Sequence, residues 1–116
     1  MVRFARSITI AVVALVVAET ASASALFWNK VITTQRTYEG CMRSARRNSL
    51  VNVRVSQDEV AGTSVDGKVY VAITCVGRGA DQRAVAFIAG VGEDSAWVRQ
   101  VVKGTAEEVR TAGVPD

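Results

Sequence analysis

Val60-Ala61-Gly62-Thr63-Ser64-Val65-Asp66-Gly67-Lys68-Val69-Tyr70-Val71-Ala72-Ile73-Thr74-Cys75-Val76 is the stretch whose reading decides the fold. Asp66-Gly67 separates two β-rich runs, and Asp-Gly in that position is the strongest short-range hairpin signal, because a type I′ turn needs positive φ at both central residues. Such a turn fixes the register: Val65 faces Lys68, Ser64 faces Val69, Gly62 faces Val71 and Val60 faces Ile73. The side chains then sort by face. Val60, Val69, Val71, Ile73 and Cys75 share one side, and Glu59, Thr63, Lys68, Tyr70 and Thr74 share the other. That is the split of an antiparallel sheet with one wet face.

Toward the N-terminus, Val51, Val53 and Val55 alternate with Asn52 and Arg54, which predicts a further half-buried strand closed by a turn at Ser56-Gln57-Asp58-Glu59. Tyr38, Cys41, Met42 and Ala45 recur at the spacing of one helix face. The pattern predicts a helix over 34–47, with Arg36, Arg43 and Arg47 on its opposite side. Residues 26–33 have no clear period and read as an extended lead-in or the fraying start of that helix.

Toward the C-terminus, the polar loop Gly77 to Gln82 leads into a strand over 83–91 that is apolar in both phases, as in the middle of a sheet. A second helix opens at Asp94 or Ser95, carries the stripe Val98, Val101, Val102 and Val109, and ends at Gly113 before Pro115. Gly104 weakens it by roughly 1 kcal/mol relative to alanine. The expected fold is an α+β two-layer sandwich: a four-stranded antiparallel meander with two helices on one face, in the order α-β-β-β-β-α.

Residues 1–25 read as a cleaved signal peptide, leaving 26–116 as a single α+β domain. Arg3 and Arg6 precede the uncharged run Ser7 to Ala18, and Ala23-Ser24-Ala25 supplies an A-x-A site, with cleavage after Ala25. The run is shorter than the 20 or so apolar residues of a membrane span. It is followed by no lipid-accepting cysteine and contains no twin arginine, so a Sec-type route to the periplasm or the medium is expected. Removing Arg3, Arg6 and Glu19 lowers the net charge from +3 to +2. A near-balanced, exported chain is not expected to bind nucleic acid.

Cys41 falls on the apolar stripe of the first helix and Cys75 on the helix-facing side of its strand. In an oxidising compartment a structural disulfide is the expected outcome, with two buried thiols or a redox pair as alternatives. The chain has no histidine, which removes Ser-His-Asp and Cys-His nucleophilic schemes and imidazole zinc sites. The acidic neighbours Asp58-Glu59, Glu93-Asp94 and Glu107-Glu108 read as turns, caps and solvated helix surface. Gly90-Val91-Gly92-Glu93-Asp94-Ser95 only partly matches a phosphate-binding loop, and its two acids would stand where a pyrophosphate should sit. No catalytic, metal or cofactor site is expected.

The order Cys41, Asp66-Gly67, Cys75, Gly92-Glu93-Asp94 resembles small exported α+β proteins of Gram-negative bacteria, a likeness of layout that carries no functional residue with it. The function expected is an exported, non-enzymatic binding or adaptor module. The alternatives are a periplasmic enzyme inhibitor presenting Gly77 to Gln82, and a small enzyme working without histidine. The partner expected is a protein or an anionic envelope component, met by Arg36, Arg43, Arg47, Arg54 and Tyr70. Trp28 and Trp97 read either as anchors for a partner or as core.

Overall fold

In the computed structural model, which describes residues 24–79 and 81–113, the Asp66-Gly67 stretch forms the expected hairpin. Val60 lies opposite Ile73 and Gly62 opposite Val71. Val60, Val69, Val71, Ile73 and Cys75 are buried, whereas Tyr70 on the other face is exposed.

The turn differs from type I′. Only Gly67 takes a positive φ, 74°, and Asp66 does not. Gly67 N–H donates to Ser64 C=O at 2.8 Å and Ser64 N–H to Val69 C=O at 2.8 Å, which leaves Val65 and Lys68 in a four-residue loop rather than paired. Side chains decide this. Asp66 Oδ1 accepts from Ser64 Oγ at 2.5 Å and from Lys68 N–H at 3.1 Å, and Ser64 Oγ accepts from Val69 N–H at 3.1 Å. An Asx-type turn of this kind competes with the mirror-image turn that the dipeptide suggests.

The element order is β1 (Ala25–Ile32), α1 (Tyr38–Ala45), β2 (Val51–Val55), β3 (Glu59–Thr63), β4 (Val69–Val76), β5 (Val85–Gly92) and α2 (Ser95–Thr111). The sheet is antiparallel throughout, with strand order β1-β5-β4-β3-β2. The protein is therefore α+β with five strands and two helices, not four strands. Residues expected as a lead-in make β1, which pairs along its whole length with β5. Its period is hidden because both phases carry large apolar side chains: Phe27 and Val31 turn to the helices, Leu26, Trp28 and Ile32 turn away. The expected signal residues 1–23 lie outside the described residues, and cleavage after Ala25 would spare all of β1 except its first residue.

The first helix begins at Tyr38 rather than near residue 34. The backbone beyond β1 stays extended against Ala84, with Thr33 N–H donating to Ala84 C=O at 2.9 Å and Ala84 N–H to Gln35 C=O at 2.7 Å. Thr37 then caps the helix, its hydroxyl accepting from Gly40 N–H at 2.9 Å. The helix stops at Ala45, whose carbonyl accepts from Asn48 Nδ2 at 2.5 Å. Cys41, Met42 and Ala45 are buried as the stripe requires, and Arg36, Arg43 and Arg47 are exposed.

β2 is a correction. The alternating valines predicted a half-buried strand, yet all five of its residues are exposed. It is an edge strand bent by a bulge between Val51 and Arg54, where Asn52 takes φ 52°. The bend follows Gly62, over which the chain passes closely: a Cβ there would meet Val51 O at 2.9 Å and Leu50 Cβ at 3.1 Å.

Both helices cover one face. Cys41 and Cys75 form a disulfide, with Sγ–Sγ 2.09 Å and Cα–Cα 6.0 Å, that ties α1 to β4. α2 lies over β1 and β5. Asp94 caps it, accepting from Ala96 N–H at 3.0 Å and Trp97 N–H at 3.2 Å. Val98, Val102 and Val109 are fully buried beneath it, and the Arg99 guanidinium stacks 5.1 Å from the Phe27 ring centre. The helix comes close because β5 has no side chain at position 90, where a Cβ would meet Val102 Cγ2 at 2.5 Å.

Three outcomes follow from these contacts. Replacing both Cys41 and Cys75 with alanine removes a cross-link over a separation of 34 residues and should lower unfolding stability by about 3–4 kcal/mol, read by urea titration. Gly90→Ala should cost about 1–3 kcal/mol in the same assay, because neither Val102 nor the strand can give way cheaply. The Asp66 carboxyl is held below its ordinary value of 3.8, first by the Ser64 hydroxyl and then by Lys68 N–H. A depressed folded pKa stabilises above that value and loses the contribution as pH falls through the folded pKa. Acid unfolding of Asp66→Asn should therefore lack this part of the wild-type pH dependence.

Candidate functional site

Where α2 meets the β3–β4 turn and the approach to β2, the described residues enclose a cleft of about 390 Å³, within the range of small-ligand pockets. Trp97, Val101, Gly104 and Glu108 line it from α2, at the spacing of one helix face, with Thr105 beside them. Ser64, Val65 and Asp66 line it from the turn, and Ser49 and Leu50 from the approach to β2.

The cleft is apolar along its walls and acidic at its edge. Leu50, Trp97 and Val101 pack against the core while remaining partly open. Glu108 accepts from Ser49 Oγ at 2.6 Å, which ties α2 to residue 49, and Asp66 is fixed by the turn described above. Trp97 Nε1 is buried and makes no hydrogen bond of ordinary geometry, although its N–H is the smallest of the influences that favour the Asp66 carboxylate. Both carboxylates are held in place, so the edge of the cleft presents fixed negative charge.

Gly104 lines the cleft without a side chain. It sits in the middle of a 17-residue helix, where glycine costs roughly 1 kcal/mol relative to alanine. No close approach requires it: a Cβ at this position would meet nothing within 4 Å. Gly90 and Gly62 have packing reasons and Gly104 has none.

The residues expected to meet a partner lie on two parts of the molecule. Arg36, Arg43 and Arg47 are exposed around α1. Arg54 and Tyr70 lie on the outer sheet face, Arg54 opposite Ala61 and Tyr70 opposite Thr63. The cleft itself escaped the sequence reading, because it is assembled from three segments far apart in the chain. Its one local signal is a glycine inside an otherwise regular helix stripe. Trp97 proves half-buried at the cleft, and Trp28 stands 62% exposed.

The outer sheet face is more apolar than a wet face should be. Leu26 is 71% and Ile32 52% exposed, and the Trp28 and Phe87 rings lie 6.4 Å apart across the β1–β5 pair. Val91 and Tyr70 continue the surface toward β4.

At the start of α2 the Asp94 carboxylate occupies the helix N-terminal donors that a phosphate would need, so the Gly90 to Ser95 segment is a capped strand-to-helix turn. In the loop after β4, Arg78 Nε donates to Arg83 C=O at 2.7 Å and Gln82 N–H to Gly79 C=O at 3.2 Å. Among the described residues no group of three or more His, Cys, Asp and Glu side chains could hold a metal ion, and no helix is long and apolar enough to cross a membrane. Comparison of the chain with protein-family models, with curated proteins and with solved structures finds no match.

Proposed function

We propose that this protein is an exported, non-enzymatic binding module whose cleft holds an apolar group bearing a positive charge or hydrogen-bond donors. The observation that carries the reading is Gly104: a mid-helix glycine that no packing contact demands, on the helix face that Trp97 and Val101 also turn to an apolar cleft. The carboxylates of Asp66 and Glu108 at the edge supply the complementary charge. The disulfide supports export, since such bonds persist in oxidising compartments. So does the N-terminal sequence, with its two arginines, apolar run and A-x-A site. The exposed Arg36, Arg43 and Arg47 form a separate surface, suited to an acidic protein or an anionic envelope component.

Two substitutions at one position test the cleft. Gly104→Ala should raise unfolding stability by about 1 kcal/mol through helix propensity alone. Gly104→Leu should keep that stability while filling the cleft. With the neutral dye N-phenyl-1-naphthylamine as probe, the wild type should enhance dye fluorescence and Gly104→Leu should lose most of the enhancement. Binding that is undiminished in Gly104→Leu, or absent from the wild type, overturns the reading.

A further inference from the structure

The outer face of the sheet has a pattern that fits itself. Reading across β1, β5, β4 and β3, the strand registers place Leu26, Val91, Tyr70 and Thr63 in one row and Trp28, Ala89, Ala72 and Ala61 in the next. Lys30, Phe87, Thr74 and Glu59 make a third row. Across these four strands the only charges are Lys30 at one end of the third row and Glu59 at the other; β2 adds Arg54 beyond Ala61, outside the four strands.

We propose that this face is the interface of a homodimer, in which two sheets pack face to face about a twofold axis parallel to the strands and midway between β5 and β4. That axis keeps each row on itself and exchanges β1 with β3 and β5 with β4. Lys30 of each copy then meets Glu59 of the other, twice per dimer. Trp28, the largest exposed side chain, lies over the row position of Ala61, a small residue already buried within its own sheet, and Phe87 meets Thr74. Charge and size are both matched by one operation.

The competing in-plane axis, perpendicular to the strands, fails on the same residues. It would keep every strand on itself, β1 over β1 and β3 over β3, so that Lys30 and Glu59 never meet. At ordinary strand spacing and rise the four strands span about 20 Å and the three rows about 17 Å, about 350 Å² in projection. Side-chain relief and the flanking row of Ile32, Val85 and Val76 bring the contact toward the roughly 600 Å² per partner at the lower end of stable interfaces. Sheets packed in this way align within about 30°, which the natural twist accommodates. The cleft lies on the helical side and stays open in both copies, so the dimer and the cleft reading stand or fall separately.

Light scattering coupled to size-exclusion chromatography of the full purified chain, over a dilution series, should give a dimer that dissociates on dilution. Lys30→Glu and Glu59→Lys, each creating two like-charge contacts, should each raise the dissociation constant roughly tenfold or more. The double variant Lys30→Glu/Glu59→Lys should return to near the wild-type value. Both positions lie on the sheet surface, and an unchanged far-UV spectrum with an intact disulfide verifies folding in each variant. A protein that is monomeric at every concentration overturns the proposal and leaves the face to a different partner. A double variant as weak as either single variant overturns the pairing of Lys30 with Glu59, and with it the proposed axis.

Discussion

The contact between Val102 and the bare backbone at Gly90 sets how near α2 can come to the sheet, and the rest of the helical layer follows from that distance. β5 lies between β1 and β4, so its spacing cannot adjust without breaking two ladders of hydrogen bonds. The helix must therefore accept the surface β5 offers: Ala86, Ile88, Gly90 and Gly92, small except at position 88. Into that surface drop Val98 and Val102, fully buried. α1 is held by a different device. It is a helix of only eight residues, too short to be stable by itself, and the Cys41–Cys75 bond anchors it to β4.

A two-layer fold with both helices on one side leaves the other side of the sheet to water. That arrangement is comfortable on the β3 side, where Glu59 and Thr63 face outward, and poor at the β1–β5 side, where Leu26, Trp28 and Phe87 do. The same asymmetry appears within the helical layer. α2 follows β1 and β5 and so leaves a gap beside the β3–β4 turn, which Gly104 lines without a side chain. The two unfilled surfaces thus have one origin. There are too few helices to cover five strands.

Local chemistry was readable wherever the pattern was local. The β3–β4 register, the burial of the Cys75 face, the central position of β5, the Asp94 cap and the halt at Gly113 each depend on residues within a few positions of one another. The Asp66-Gly67 turn kept its place and changed its type, because a dipeptide preference yields when Ser64 adds two side-chain hydrogen bonds. β1 was illegible because a strand with both phases apolar has no period to find, even at an edge. β2 misled in the opposite sense: its alternation is regular, but a bulge and an edge position leave its valines exposed.

What the amino-acid sequence determined by itself is the set of decisions made by near neighbours: strand or helix for most elements, where most of them begin, and which face of the central hairpin is apolar. It also brought Cys41 and Cys75 onto facing surfaces, since two independent periodicities pointed them inward. The tertiary structure alone decided that residues 25–32 close the sheet beside β5, that the cleft gathers Leu50, Asp66 and Trp97, and that Lys30 and Glu59 end the same row. The physical reason is common to all three. Each joins segments far apart in the chain, and no propensity within a segment records which distant backbone will supply its hydrogen bonds or fill the space beside it.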